Sequence, residues 1–344
     1  MKAFARHLCV LVGAALLSSA AAEPPAKQTK ERSARGQGTH ATLGVYQGAG
    51  CNGLKRLPTF VRWLGRQPDH VLEFIPWDAL TDGTAWAVKC WQAAGTRSVV
   101  YSLPMLPPDR SATLAQGAAG KFDPLFERYA RVLVEYGYGD SVIRLGWEFN
   151  GHWYPWESGV DPQSWIAYWR RIVTIMREVP GAHFKFDWNP AGGWTKHKAD
   201  DVYPGDEYVD IIGLDYYNSA FKPGSSAEEH WKLRLYGPHG LKWHRDFARA
   251  HGKPMSFPEW GTGWRNDGSG GGDDPYFIEH MAEWIADNNV LYHIYWDYPD
   301  RVYAANLSDG SRPRAGAAFR RIYGKGGGSN SGGTSGGNGG AARD

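Results

Sequence analysis

The sequence predicts one closed (β/α)8 barrel, an α/β TIM barrel. Three observations carry this. Eight short apolar runs recur along the chain, helical stretches lie between them, and the stretch 41–323 between two polar ends suits one closed barrel better than one open sheet.

Taken in order, strand one is ATLGVY at 41–46, strand two HVLEFI at 70–75 and strand three SVVYSL at 98–103. Strand four is SVIRLGWEF at 141–149, strand five HFKFDWN at 183–189 and strand six VDIIGLDYY at 209–217. PMSFPEW at 254–260 and LYHIYWDY at 291–298 complete the set. Helices are expected to include 122–136, 162–178, 241–251 and 275–289, with Asp123-Pro124 and Asp161-Pro162 as starts.

The ends read differently. Lys2 and Arg6, the apolar run at 8–17 and the small residues at 18–22 predict a signal peptide over 1–22. That run is shorter than the roughly 20 apolar residues a spanning helix needs. Residues 23–40 read as a flexible leader, and 324–344 as a disordered Gly/Ser-rich tail. The expected location is secreted or periplasmic, with no stable membrane insertion after cleavage. In that oxidising setting Cys51, in the loop after strand one, and Cys90, in the helical region after strand two, are expected to form a disulfide; two buried thiols are the alternative.

A net charge of +2 predicts no nucleic-acid partner. Strand one lacks a dinucleotide fingerprint, and there is no P-loop, no H-E-x-x-H and no G-x-S-x-G. The DGSGGGDD stretch at 267–274 reads as a mobile, solvated loop rather than a calcium site. No metal or organic cofactor is required, and a monomer is expected. The 17 Trp and 18 Tyr are the informative excess. Many stand beside glycines, prolines and carboxylates, which suits a carbohydrate whose C–H faces stack on rings; filling of the helix–sheet layer is the alternative.

In this fold chemistry collects at the C-terminal strand ends. Asp187, Asn189, Asp215, Glu148, Glu259 and Asp297 all end strands. Period-two alternation places Arg144, Gly146 and Glu148 on one side of strand four, with the guanidinium one layer beneath the carboxylates. Glu148 is followed by Asn150, His152, Trp153 and Trp156, a polar and aromatic loop. Glu259 ends strand seven between Pro258 and Trp260, across the mouth. Two carboxyls about 5 Å apart suit a retaining mechanism, and about 6.5–9.5 Å an inverting one.

Four stretches, RLGWEFNGHWYPW at 144–156, YPGDEYVDIIGLDYY at 203–217, FPEWG at 257–261 and YWDY at 295–298, resemble glycoside hydrolase family 26, the β-mannanase family of the (β/α)8 glycosidase clan with catalytic glutamates on strands four and seven. The resemblance implies Glu148 as acid/base and Glu259 as nucleophile. It implies that Tyr217, with Tyr216 as runner-up, hydrogen-bonds the nucleophile, and that Arg144 lies under it. Trp296 is implied as the floor of the sugar site, and Trp153 and Trp156 as cleft aromatics. Asn150, Asn189, Trp147 and Trp264 complete the candidate substrate-binding set. One position departs: the histidine that usually precedes the acid/base is Trp147 here, which bears on the sugar more than on hydrolysis. The implied activity is a retaining endo-β-glycanase acting on a polysaccharide or oligosaccharide, β-mannan or another β-glycan such as β-1,3-xylan, mixed-linkage β-glucan or a bacterial exopolysaccharide. A non-catalytic glycan-binding protein and a lyase are the rival classes.

Overall fold

A computed structural model describes residues 41–82, 85–219 and 224–326. The expected signal peptide and leader, and the tail from 327, lie outside the described residues. Eight parallel strands form the barrel: β1 (Thr42–Tyr46), β2 (His70–Phe74), β3 (Val99–Leu103), β4 (Val142–Leu145), β5 (Lys185–Trp188), β6 (Ile211–Gly213), β7 (Met255–Thr262) and β8 (Val290–Trp296). Each pairs with its neighbour, and β8 pairs with both β7 and β1, closing the ring. The predicted barrel is therefore the observed one.

Alternation along the strands divides the core in two. Tyr46, Leu72, Val100, Ile211, Tyr292 and Ile294 fill the lumen. Their odd neighbours, such as Val45, Val71, Tyr101, Ile143 and Phe186, join the layer beneath the helices. Lumen space is tight. A Cβ on Gly213 would meet Asp187 Oδ1 at 2.3 Å, so only glycine on β6 leaves room for that carboxylate.

Strands four and six depart most from their predicted ranges. β4 ends at Leu145 rather than 149, because Gly146 (φ 53°) and Glu148 (φ 53°) turn into the left-handed region. Strand six breaks at Leu214–Asp215, and a second piece, Tyr216–Asn218, pairs with β7 further up. The predicted helices appear as Asp123–Glu135, Pro162–Arg177, Leu241–Ala250 and Pro275–Asp287. Asp161 caps its helix by accepting from Ser164 N, whereas Asp123 pairs with Arg171 instead of capping.

Cys51 is not in a loop. It lies in the first turn of the helix Gly50–Leu64, and it is disulfide-bonded to Cys90 on the helix Trp86–Ala93, with Cα atoms 5.3 Å apart. Buried Glu73, on the outer face of β2, ties both helices together by accepting from Gly50 N and Trp91 Nε1, each at 2.6 Å.

The 267–274 loop is also not the free loop expected. Gly271 and Gly272 donate backbone bonds to Asn218 and Gly263. Asp273 accepts from Arg314 N and Ala315 N at the start of the helix Pro313–Tyr323, and Asp274 caps Pro275–Asp287 through Phe277 N. These carboxylates serve helix starts. Among the described residues no helix is long and apolar enough to cross a membrane, and no group of three or more His, Cys, Asp or Glu could hold a metal ion.

Candidate active site

Arg144 is the centre of the site. It is fully buried on the lumen face of β4. Its Nη1 donates to Ser102 Oγ at 3.0 Å, its Nε to Asn189 Oδ1, and its Nη2 to Asp215 and to Glu259 Oε1, the last at 2.6 Å. Burial disfavours its charge, but Asp215 and Glu259 outweigh that and hold its pKa above the usual arginine value. Such a cation, bound on every side, fixes the carboxylates around it. One layer down, Asp187 accepts from Ser256 Oγ and Tyr292 OH, each at 2.5 Å, and burial pushes its carboxyl up to about 6.

Glu259 ends up gripped at both oxygens. Tyr217 OH donates to Oε2 at 2.5 Å while Arg144 takes Oε1. Burial, then the charge of Glu259, raises the Tyr217 pKa well above its normal value, so the phenol stays a neutral donor. Tyr216 points away and donates to Arg234 O at 2.5 Å. The break in strand six thus resolves the choice between the two tyrosines.

Glu148 faces the same space on a different backbone. Alternation from Arg144 does not deliver it, since the strand has already ended. Its amide donates to Asn189 O at 2.8 Å, which extends the pairing with the end of β5, and its left-handed φ turns the side chain to the mouth. A non-glycine residue held there carries strain of about 1–3 kcal/mol, a pattern concentrated at functional sites. Burial first, and the charge of Glu259 second, push its carboxyl up to about 7. Trp153 does not contribute to that rise. Its Nε1 donates to Glu148 Oε2 at 2.7 Å and, with Arg144 and Arg265, favours the anion.

The aromatic candidates divide. Trp296, half-buried at the end of β8, stacks on Tyr46 at 4.2 Å and stands edge-on to Tyr217 and Phe74. Trp153 is 45% exposed and Trp264 51% exposed, so both present faces to solvent. Trp156 does not: it is buried, stacks on Tyr154 and donates Nε1 to Trp147 O at 2.9 Å. Trp147 is buried too, among Phe74, Tyr154, Trp156 and the Arg144 guanidinium. Both form the wall behind Glu148 rather than a surface for stacking.

The two asparagines also fall behind the surface. Asn150 Nδ2 donates to Ala191 O and Thr195 Oγ1, and its Oδ1 accepts from Ala191 N. It pins the loop after β4 to the loop after β5. Asn189 accepts from Arg144 and donates to Pro190 O. Neither amide faces the cleft, contrary to the expectation that they contact substrate.

Three residues stand near the site that the sequence reading passed over. Arg265 belongs to a short ribbon, Trp264–Arg265 against Tyr303–Ala304, and its charge acts on Glu148. Buried Glu157 accepts from Lys196 Nζ and His197 Nε2, each at 2.7 Å. Trp194 is 76% exposed. The signal for Trp194 was the same one that marked Trp153, an aromatic residue in a polar loop just past a strand end. A separate hollow of 580 Å3, lined by His70, Arg97 and Ser98 among others, lies at the opposite end of the strands, away from the glutamates.

The profile described as Glycosyl hydrolase family 26 matches residues 141–232, from β4 past the Tyr216–Asn218 segment. Endoglucanase H of Acetivibrio thermocellus is 29% identical over 171 residues, 47% of this chain and 18% of that protein. The mannan endo-1,4-beta-mannosidase of Bifidobacterium adolescentis is 28% identical over 165 residues, 45% of this chain and 16% of that one. The chain thus spans less than a fifth of the length of these relatives. Among solved structures, the catalytic domain of a Bacillus sp. JAMB-750 endo-beta-1,4-mannanase superposes with a TM-score of 0.60 at 16% identity, over 83% of this chain and 85% of that one. A modular endo-beta-1,4-mannanase from Cellulomonas fimi gives 0.59 at 16% identity, over 81% and 71%. The structural likeness speaks for the shared barrel, and the family match runs through the strand that leads to Glu148. Over residues 141–232 the chain is thus similar to glycosyl hydrolase family 26.

Proposed function

We propose that this protein is a retaining β-glycoside hydrolase that cleaves a β-linked polysaccharide internally, with Glu259 as nucleophile and Glu148 as acid/base. The observation that carries the reading is the unequal treatment of two facing carboxylates. Glu259 has a guanidinium on one oxygen and a phenol on the other, which holds its carboxyl in one orientation for attack. Glu148 is pushed up to about 7, so it holds a proton up to about neutral pH, well above an ordinary carboxylate.

In the first half-reaction Glu148 gives its proton to the departing glycosidic oxygen. Glu259 attacks the anomeric carbon, and the glycosidic bond breaks as the glycosyl–Glu259 ester forms. In the second, Glu148, now a carboxylate, takes a proton from water, whose oxygen attacks the same carbon and releases Glu259. Trp296 would floor the sugar being cleaved.

β-Mannan is the leading substrate, and β-glucan the second reading. Buried Trp147 in place of the family's histidine, together with the match to an endoglucanase, favours keeping it. We further propose that residues 41–323 are the catalytic domain, preceded by a signal peptide at 1–22 and a leader at 23–40 and followed by a Gly/Ser-rich tail at 324–344. The protein would act as a secreted or periplasmic monomer. The test is a panel of mannans, glucans, xylans and bacterial exopolysaccharides, with products sized and the first-released anomer followed by NMR. Release of short and medium oligosaccharides in the β configuration is the expected result. An initial α product from a β-linked polymer, or no release of reducing ends from any polymer, would overturn the reading.

A further inference from the structure

Trp296 sits on the β8–β1–β2 arc of the barrel mouth. On the opposite arc, the loops after β4 and β5 carry two exposed tryptophans. Trp153 and Trp194, with His152, Thr195 and Lys196, line a cleft of 430 Å3. That is within the roughly 300–1,000 Å3 of small-ligand sites. It adjoins Glu148, because the lining residue Trp153 donates Nε1 to that carboxylate.

The platform under these rings is braced from below. Asn150 spans the two loops with three hydrogen bonds through its side chain, and its carbonyl accepts from His197 N at 3.0 Å. Glu157, buried after β4, holds Lys196 and His197 of the other loop. The two loops that carry the tryptophans are therefore tied to each other, and both rings stay exposed. Exposed indole faces are unfavourable in water. A rigid base beneath a solvent-facing ring at 76% exposure is what a preformed stacking surface requires.

The cleft lies beside the residue proposed to protonate the departing oxygen, which places its occupant on the leaving-group side of the chain. We propose that Trp194, with Trp153 and Lys196, forms a subsite for a further sugar on that side, Trp194 stacking on the C–H face of a pyranose. This rests on the hydrolase reading above. Lys196 already has its charge matched by Glu157, so it offers N–H donors to hydroxyls rather than a free cation. The sugar it suits is neutral.

The experiment compares kcat/KM on a ladder of oligosaccharides, cut from whichever polymer the wild type hydrolyses, in the wild type, Trp194→Ala and Trp194→Phe. In the wild type, lengthening the leaving-group side into the cleft raises kcat/KM. In Trp194→Ala the ratio of long to short substrate falls about fivefold to tenfold, the scale of one lost aromatic contact. The loss falls mainly on KM, and Trp194→Phe recovers part of it. Because the readout is a ratio, general damage to the enzyme cancels. A ratio that stays at the wild-type value in Trp194→Ala, with hydrolysis intact, overturns the subsite and leaves the hydrolase reading standing. A wild type that hydrolyses no β-glycan overturns the hydrolase reading, and the subsite with it.

Discussion

Tyr217 donates to Glu259 Oε2 at 2.5 Å from a segment that begins only after strand six has broken. Its neighbour Tyr216 bonds the backbone of Arg234 instead. The two phenols are adjacent in sequence and opposite in use.

Paired substitutions separate those uses. Tyr217→Phe removes a hydrogen bond to a charged group, worth about 1.5–3 kcal/mol, so kcat/KM should fall about 10- to 100-fold with little change in melting temperature. Tyr216→Phe should instead cost about 1 kcal/mol of stability, with a much smaller effect on rate. Steady-state kinetics and thermal melts on both variants check this. Equal kinetic losses would mean that the two tyrosines are not distinguished as the geometry requires.

The pH–rate profile should lose its alkaline limb near neutrality. Glu148 must start protonated, and its carboxyl sits at about 7 because of burial and then the charge of Glu259. Turnover therefore falls as pH rises through that value. Glu259→Gln removes the second cause, so the remaining carboxyl should titrate lower. Following the Glu148 carboxyl by 13C NMR or infrared difference spectra in that variant measures the change. An unchanged value would deny the coupling between the two glutamates.

Stability should move with pH in the same window. Glu73 and Glu148 are raised to about 7 and Asp187 to about 6, burial being the first cause in each. Each binds its proton more tightly in the folded chain than in the unfolded one. The folded state is thus favoured below the unfolded carboxylate pKa, and that advantage is lost as pH rises through the folded values. Melting temperature should fall from pH 5 to pH 8. Glu148→Gln keeps an acceptor for Trp153 without the charge, and should raise stability at pH 8 by on the order of 1–3 kcal/mol, with little change at pH 4. A stabilisation equal at both pH values would point to packing rather than to charge.

The sequence made some of this legible for sound reasons and some for the wrong ones. Arg144 and its layer followed from alternation, which holds as far as Leu145. Extending that alternation to Glu148 runs through two residues with positive φ that no periodicity anticipates. The helix Gly50–Leu64 went unread because Gly50, Gly53 and Pro58 lie within it and look like loop chemistry. Asn150 and Trp156 had the right residue types for a cleft. Residue type does not say which way a loop side chain turns, and both turn inward to satisfy backbone groups. Glu157 was invisible for the converse reason. Its partners Lys196 and His197 belong to a loop about 40 positions away, and only the fold brings them together.

The Cys51–Cys90 bond closes a loop of 39 residues between two helices that pack on each other. Chain-entropy arguments give a loop of this size about 3–4 kcal/mol. The double variant Cys51→Ala/Cys90→Ala should therefore melt about 5–12 °C lower, while keeping the shape of the pH–rate profile. Glu73, bonded to Gly50 and Trp91 beside the bridge, keeps the two helices in place when the bond is absent. A profile altered along with the melt would show that the bridge reaches the catalytic groups.

The roles of the two glutamates are separable by chemical rescue. Glu259→Ala should lose turnover by several orders of magnitude on every substrate, since Asp215, the other carboxylate on Arg144, is buried and held there by the guanidinium. Glycan binding should survive, because Trp296, Trp153 and Trp194 are untouched. Glu148→Ala should behave differently. An aryl glycoside with an activated leaving group needs little protonation, so Glu259 still attacks it and the glycosyl–enzyme forms. The ester then persists, since no base activates water, and a rapid burst followed by slow turnover should appear. Azide needs no deprotonation and fits the space left by the missing carboxylate, beside Trp153. Added azide should raise turnover of Glu148→Ala and yield the β-glycosyl azide, the product of a second displacement on the same face. With Glu259→Ala the azide must enter from the opposite side in a single displacement and give the α-glycosyl azide. Identical azide stereochemistry from the two variants would reverse or abolish the assignment, and failure of both substitutions to slow hydrolysis would remove the site.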